Sequence, residues 1–208
     1  MATAKNCKEF YDALAMNQFM EQNLLFADRD GNIQYVRVGR TPIRPEGDID
    51  WKVPVPGGTD ATRWLGIHGI DDMVQVKNPP QGYFQNCNVS PAVMMTDSPM
   101  TPDKYKDYIY NVSWDHTSPR GNRLLELLDA DPSITKEEAM AYTLDNYDLL
   151  TKPWQKALRE AVDAVGTEKM KDAELAQSVN DFLAWDGRFM KESTIASIVK
   201  FWRLKCED

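Results

Sequence analysis

Apolar residues change their spacing near Pro99 and Pro102, and that change restricts the chain to folds that keep strands and helices in separate regions. Before it, short apolar runs are interrupted by Gly, Pro and Asn, the punctuation of strands and turns. After it, apolar residues recur three and four positions apart over long stretches, which puts one face of each helix against a core. A strand-rich region over 20–95 and a helix-rich region over 100–206 are expected.

In the first region, Phe10, Ala13 and Leu14 share one side of a short helix over 9–16. The run NLLFADRDGNIQYVRVG reads as a hairpin, with Leu24 and Phe26 on one strand, a turn at Asp30 and Gly31, and Ile33, Tyr35 and Val38 on the return. Gly31 supplies the positive φ that a tight turn demands. Residues 39–58, rich in Pro and Gly, predict a long shaped loop in which Trp51, Val53 and Val55 find something to bury. Strands over 64–67 and 83–87 and a short helix over 71–76 complete this half.

The second half predicts a helix in PRGNRLLELLDAD, with Leu124, Leu127 and Leu128 on one stripe. The next helix opens at Thr135, where Glu138 completes a capping box. Helical spacing recurs in Trp154, Leu158, Ala161 and Val165, in Leu175, Val179, Phe182 and Leu183, and in Ile195, Ile198, Val199 and Trp202.

With 208 residues, 42% of them apolar, the chain can bury a core, and a formal charge of -8 leaves no surplus of cations for phosphates. Nucleic acid and an anionic membrane are therefore not expected as partners. No apolar run reaches the roughly 18 residues of a spanning helix. The first residues lack the pattern of an export signal, and the compartment stays open.

Several motifs invite chemistry. Cys7, Cys87 and Cys206 are too widely spaced for a zinc or disulfide framework, and Cys87, set in an expected strand, reads as a small buried hydrophobe. His68 and His116 stand beside no carboxylate in a recognisable triad order. The run from Asp28 to Asn32 begins like a calcium loop, but an EF-hand has Gly sixth and an acid twelfth, where this chain has Ile33 and Gly39. Arg120 and Arg123, before a Leu-rich helix, read by themselves as surface charge.

Taken together, NLLFADRDGNIQYVRVGRTPIRPEGD, PVPGG, RWLGIHGIDDM, KNPPQGYFQNCNVSP and FLAWDGRFMKEST follow an order and spacing that resemble the later part of the catalytic β subunit in the penicillin amidase family of N-terminal-nucleophile hydrolases. The resemblance implies an α+β fold, residues 1–208 forming one partial domain of a four-layer αββα architecture. It implies an amide hydrolase that cleaves carbon–nitrogen bonds of linear amides, an antibiotic or another small N-acyl amide being the substrate.

In that family a Ser at the start of the β subunit attacks the carbonyl, and its own α-amine, with a pKa near 8, acts as base. The oxyanion is met by a backbone N–H and an Asn carboxamide, a donor that works without changing its protonation state. The family's Asn-x-Asn corresponds to Asn86, Cys87 and Asn88, and the second Asn matches the oxyanion donor. Cys87 takes the variable middle place, which in a strand points away from the face of Asn86 and Asn88. Arg120, with Arg123 second, is the closest match to an Arg that orients this Asn in relatives.

The chain starts at Met1 and contains no stretch like the family's nucleophile segment, so its expected partners are a missing N-terminal segment or α subunit. Alone it is expected to be inactive, with exposed sheet edges that favour association or marginal stability. No cofactor or metal is assigned; intact relatives bind calcium through acidic residues of the missing region, with Asp97 a possible remnant. The alternatives are a noncatalytic binding or interaction domain derived from the family, and an independent hydrolase using Cys87 or another internal residue.

Overall fold

The computed structural model describes residues 1–166, 170 and 172–206, and the chain divides into two compact units, Met1–Ser118 and Pro119–Asp208. In the first, helix α1 (Cys7–Leu14) starts two residues before the apolar pattern suggests, because the Asn6 side chain caps it by accepting the Glu9 N–H at 2.9 Å. Leu14 and Phe10 pack on Val36 and Val38 of the adjoining sheet.

That sheet begins as the expected hairpin. Strands β1 (Gln22–Ala27) and β2 (Ile33–Val38) pair antiparallel, from Ala27 opposite Ile33 to Gln22 opposite Val38. Gly31 takes φ +81° in the turn, and Asp28 Oδ1 accepts the N–H groups of Asp30 and Asn32, each at 3.0 Å. Burial alone would raise the Asp28 carboxyl, but N–H groups of Asn32 and Cys7 outweigh it and hold the carboxyl well below its usual range.

Two short strand pairs replace what the sequence suggested next. A 3-10 turn, Ile70–Asp72, stands at the start of the expected helix over 71–76, and the chain then runs out as β5 (Gln75–Lys77), antiparallel to β2 in the order β1-β2-β5. The open edge of β2 decides this, since the Arg37 N–H reaches the Val74 carbonyl at 2.8 Å. The strand over 64–67 contracts to β4 (Gly66–Ile67), paired with β3 (Pro42–Ile43), and Trp64 and Leu65 are exposed. Trp51 and Val55 are half-buried in the long loop as expected, whereas Val53 is 54% exposed.

The core of this unit joins Tyr35, Met73, Val74, Val89, Met94, Met95, Met100, Ile109 and Tyr110. Its last members explain why the unit ends at Ser118 rather than near Pro102: Ile109 and Tyr110, on the single turn α2 (Asp107–Tyr110), are buried with residues of the strand-rich part.

The second unit is helical: α3 (Pro119–Ala130), α4 (Lys136–Thr143), α5 (Thr151–Val165), α6 (Ala173–Ala184) and α7 (Thr194–Cys206). Thr135 and Glu138 form the expected reciprocal cap on α4. Phe182, Trp185, Ala196 and Val199 make the buried cluster, with Trp154, Leu158, Ile195 and Trp202 packed on it. The inward stripes are narrower than the pattern implied, for Ala161, Val165, Leu175 and Ile198 are exposed while Val162 is half-buried. Gly187 closes this unit tightly: φ is +83°, and a Cβ there would lie 2.7 Å from the Tyr147 ring and 2.9 Å from Thr151 Oγ1. No helix among the described residues is long and apolar enough to cross a membrane.

Candidate active site

Residues 83–86 belong to no strand, and at 87–88 the chain bends, so the expected strand over 83–87 does not form. Asn88 has φ +61°, so the expected sharing of one strand face by Asn86 and Asn88 does not hold. The left-handed bend suits Asn: every non-glycine residue of positive φ among those described is Asn17, Asn78, Asn88, Asp97 or Asn111.

Side chains just before the bend secure it. Asn86 Oδ1 accepts the Asn88 N–H at 3.1 Å, and Gln85 Oε1 accepts the Cys87 N–H at 3.1 Å. Gln85 is 2% exposed, and its Nε2 donates to the Val93 carbonyl at 3.0 Å, which fastens the turn to the body of the unit. Ser118 Oγ donates to the Cys87 carbonyl at 3.1 Å.

Immediately after the bend the chain dives into the core. Val89 is buried, and Ser90 is wholly enclosed, its N–H on the His116 carbonyl at 2.8 Å and its hydroxyl 2.8 Å from that of Tyr110. The same Tyr110 oxygen accepts the Ala92 N–H at 3.0 Å and donates to the Met100 carbonyl at 3.2 Å. Asn88 is thus an exposed carboxamide on a bend held rigid from both sides. Asn86, by contrast, spends its carbonyl oxygen inside the turn.

Cys87 is half-buried rather than buried, because it sits at the bend and not in a sheet. Cys7 is the enclosed thiol; burial, then the Asp28 carboxylate, pushes it up from its ordinary value. Cys206 is exposed.

The two arginines separate in role. Arg120 is the second residue of α3, exposed, and belongs to the second unit while Asn88 belongs to the first. Arg123 is bound within its own unit: Nε and Nη2 meet the two Asp145 oxygens at 3.0 and 3.2 Å, and its guanidinium lies 4.8 Å from the centre of the Tyr147 ring. The Arg123 hydrogen bonds come first among the forces that lower the Asp145 carboxyl, and Asp145 in turn raises Arg123.

One arrangement eluded the sequence. His68 is buried, with Nδ1 2.8 Å from Asp72 Oδ2 and Nε2 2.9 Å from the Tyr108 hydroxyl, so it does meet a carboxylate. Asp72, four residues on, was the available signal; Tyr108 lies 40 residues away and gave none. His116 is exposed. Asp97 is exposed too, and among the described residues no three His, Cys, Asp or Glu side chains gather where they could hold a metal ion, so they supply no calcium ligand set around it.

The sequence profile of the penicillin amidase family matches residues 1–207. The chain belongs to the penicillin amidase family. It is 32% identical over 140 residues to penicillin G acylase of Escherichia coli, a match covering 65% of this chain and 14% of that relative. The solved thermostable penicillin G acylase from Alcaligenes faecalis is similar in fold, with a TM-score of 0.59 and 28% identity over 92% of this chain and 32% of that one. The α+β class expected from the resemblance is therefore the class found, and the chain spans only a minor share of the length of these penicillin amidase relatives.

Proposed function

We propose that this chain supplies the oxyanion-binding part of a penicillin-amidase-type hydrolase acting on linear amides, antibiotic or other N-acyl compounds. The reading assigns oxyanion stabilisation to the Asn88 carboxamide. The attacking Ser and its α-amine come from polypeptide outside these 208 residues. The observation that carries it is the bend itself: an exposed Asn, in a family of amide hydrolases, on a backbone fixed by Asn86 and Gln85 before any substrate arrives.

The chemistry follows from the donor. As the carbonyl carbon becomes tetrahedral, its oxygen takes up negative charge, and a neutral carboxamide N–H held in place meets that charge with no reorganisation. A flexible donor would lose much of the gain in ordering itself. Arg120 is assigned a positioning role toward the Asn88 region.

Two measurements test this. The 208-residue chain alone, mixed with an acylated chromogenic amide, gives no burst of product; an Asn88-dependent burst refutes the placement of the nucleophile elsewhere. In the complete enzyme, Asn88→Asp and Asn88→Gly each lower kcat by about 10²–10³ with little change in KM. A parent-like kcat in both variants removes Asn88 from the site.

A further inference from the structure

A cavity of about 530 Å³ in the first unit is lined by three arginines, Arg37, Arg40 and Arg44, in a chain whose net charge is -8. Arg37 is satisfied, for it pairs with Glu21 and donates to the Tyr110 carbonyl at 2.5 Å. Among the described residues neither Arg40 nor Arg44 has a carboxylate partner.

Arg44 is held in an unusual setting. Its guanidinium lies 4.6 Å from the centre of the Tyr108 ring and 5.2 Å from that of Trp51, and its buried Nε has no hydrogen-bond partner. Ring faces attract a cation and fix its plane, yet they accept none of its in-plane N–H bonds as an oxygen would. The guanidinium is oriented by the two rings and carries no hydrogen bond to another described residue, so an anion that reaches its terminal N–H groups meets donors already held in place. Among the described residues, Glu21 is the one acidic side chain that lines this cavity.

We infer that this cavity binds a short organic dicarboxylate, one carboxylate on Arg44 and the other on Arg40. Arg40 and Arg44 are separate residues lining one cavity, which favours two separate carboxylates over a single compact anion, and Phe19, Met20 and Met73, also in the lining, offer apolar wall to the methylenes between them. The volume falls in the range of small-molecule sites. The site shares no residue with the Asn88 bend, so its test is independent of the oxyanion proposal.

The 208-residue chain is titrated with succinate, acetate and inorganic phosphate at fixed ionic strength, by calorimetry and amide chemical shifts. Succinate binds about tenfold more tightly than acetate or phosphate. Arg44→Gln and Arg40→Gln each weaken succinate about fivefold or more, and Arg44→Lys also weakens it because the planar fork is lost. Arg63→Gln, which removes an exposed guanidinium already paired with Asp60 at 2.8 Å, leaves binding unchanged. Arg40 is exposed, so Arg40→Gln reports on binding even if Arg44→Gln disturbs the fold. Equal affinity for the three anions, no saturable succinate binding below about 10 mM, or parent-like binding by Arg40→Gln overturns the inference.

Discussion

The two units differ in the contacts that dominate their shape, although aspartates also hold turns in the second, as Asp186 does by accepting the Arg188 N–H. In Met1–Ser118, elements are short and the path between them is set by side chains that bond to backbone: Asp28 in the hairpin turn, Gln85 and Asn86 before the bend, Tyr110 beneath it. In Pro119–Asp208, shape comes from helices whose aromatic faces meet, Trp154 with Trp202 at 5.1 Å and Phe182 with Trp202 at 5.5 Å between ring centres. A left-handed bend that presents a carboxamide needs the first kind of construction, because helical packing provides no local partner for a turn's N–H groups. The candidate oxyanion donor accordingly lies in the unit wired by polar side chains.

Three substitutions sharpen or break this contrast. Phe182→Ala, which empties a site only 3% exposed beside the rings of Trp185 and Trp202, is expected to destabilise the helical unit by about 3–5 kcal/mol, read from tryptophan emission on denaturation. A loss no larger than that of an exposed-site substitution would show that the aromatic cluster is not what holds this unit.

Tyr110→Phe keeps the ring and removes one oxygen, leaving the enclosed Ser90 hydroxyl and the Ala92 N–H without it; about 2 kcal/mol is expected, with faster amide exchange at Ala92. Unchanged stability would remove the polar wiring as the distinguishing feature of the first unit.

Asp28 gives the smallest effect, confined to acid. Its folded pKa lies below the unfolded value of about 4, so its contribution is fully present above that value and is lost as pH falls through the folded one. Melting curves of Asp28→Asn should fall less between neutral and acid pH than those of the parent. Parallel curves would mean that the turn carboxylate contributes nothing.

The same contrast governs how much was legible beforehand. The hairpin could be read because Gly31 and the alternation through Ile33, Tyr35 and Val38 are encoded in adjacent residues, and the α4 cap because Thr135 and Glu138 are three apart. Helices α5 to α7 were visible from spacing, yet Ala161 and Val165 were misplaced because a helical stripe drifts and Val162 takes the inward position. Residues 71–76 were misread, since a short apolar run fits helix or strand until a neighbouring edge claims it, as β2 claims Gln75–Lys77. At the candidate site Asn88 is singled out by its match to the family's Asn-x-Asn, and the left-handed conformation it takes could not be read from the sequence. The bend depends on Gln85 reaching Val93 and on Ser118 reaching Cys87, contacts that no local pattern announces.

The backbone at position 88, with φ +61°, narrows what evolution or engineering can place there. Glycine would follow the same path and offer no amide donor, whereas glutamine would carry the donor on a longer arm and resist the path. Among these three residues only asparagine combines an easy fit to that backbone with a short amide donor, the pairing that the proposed role at this position would require.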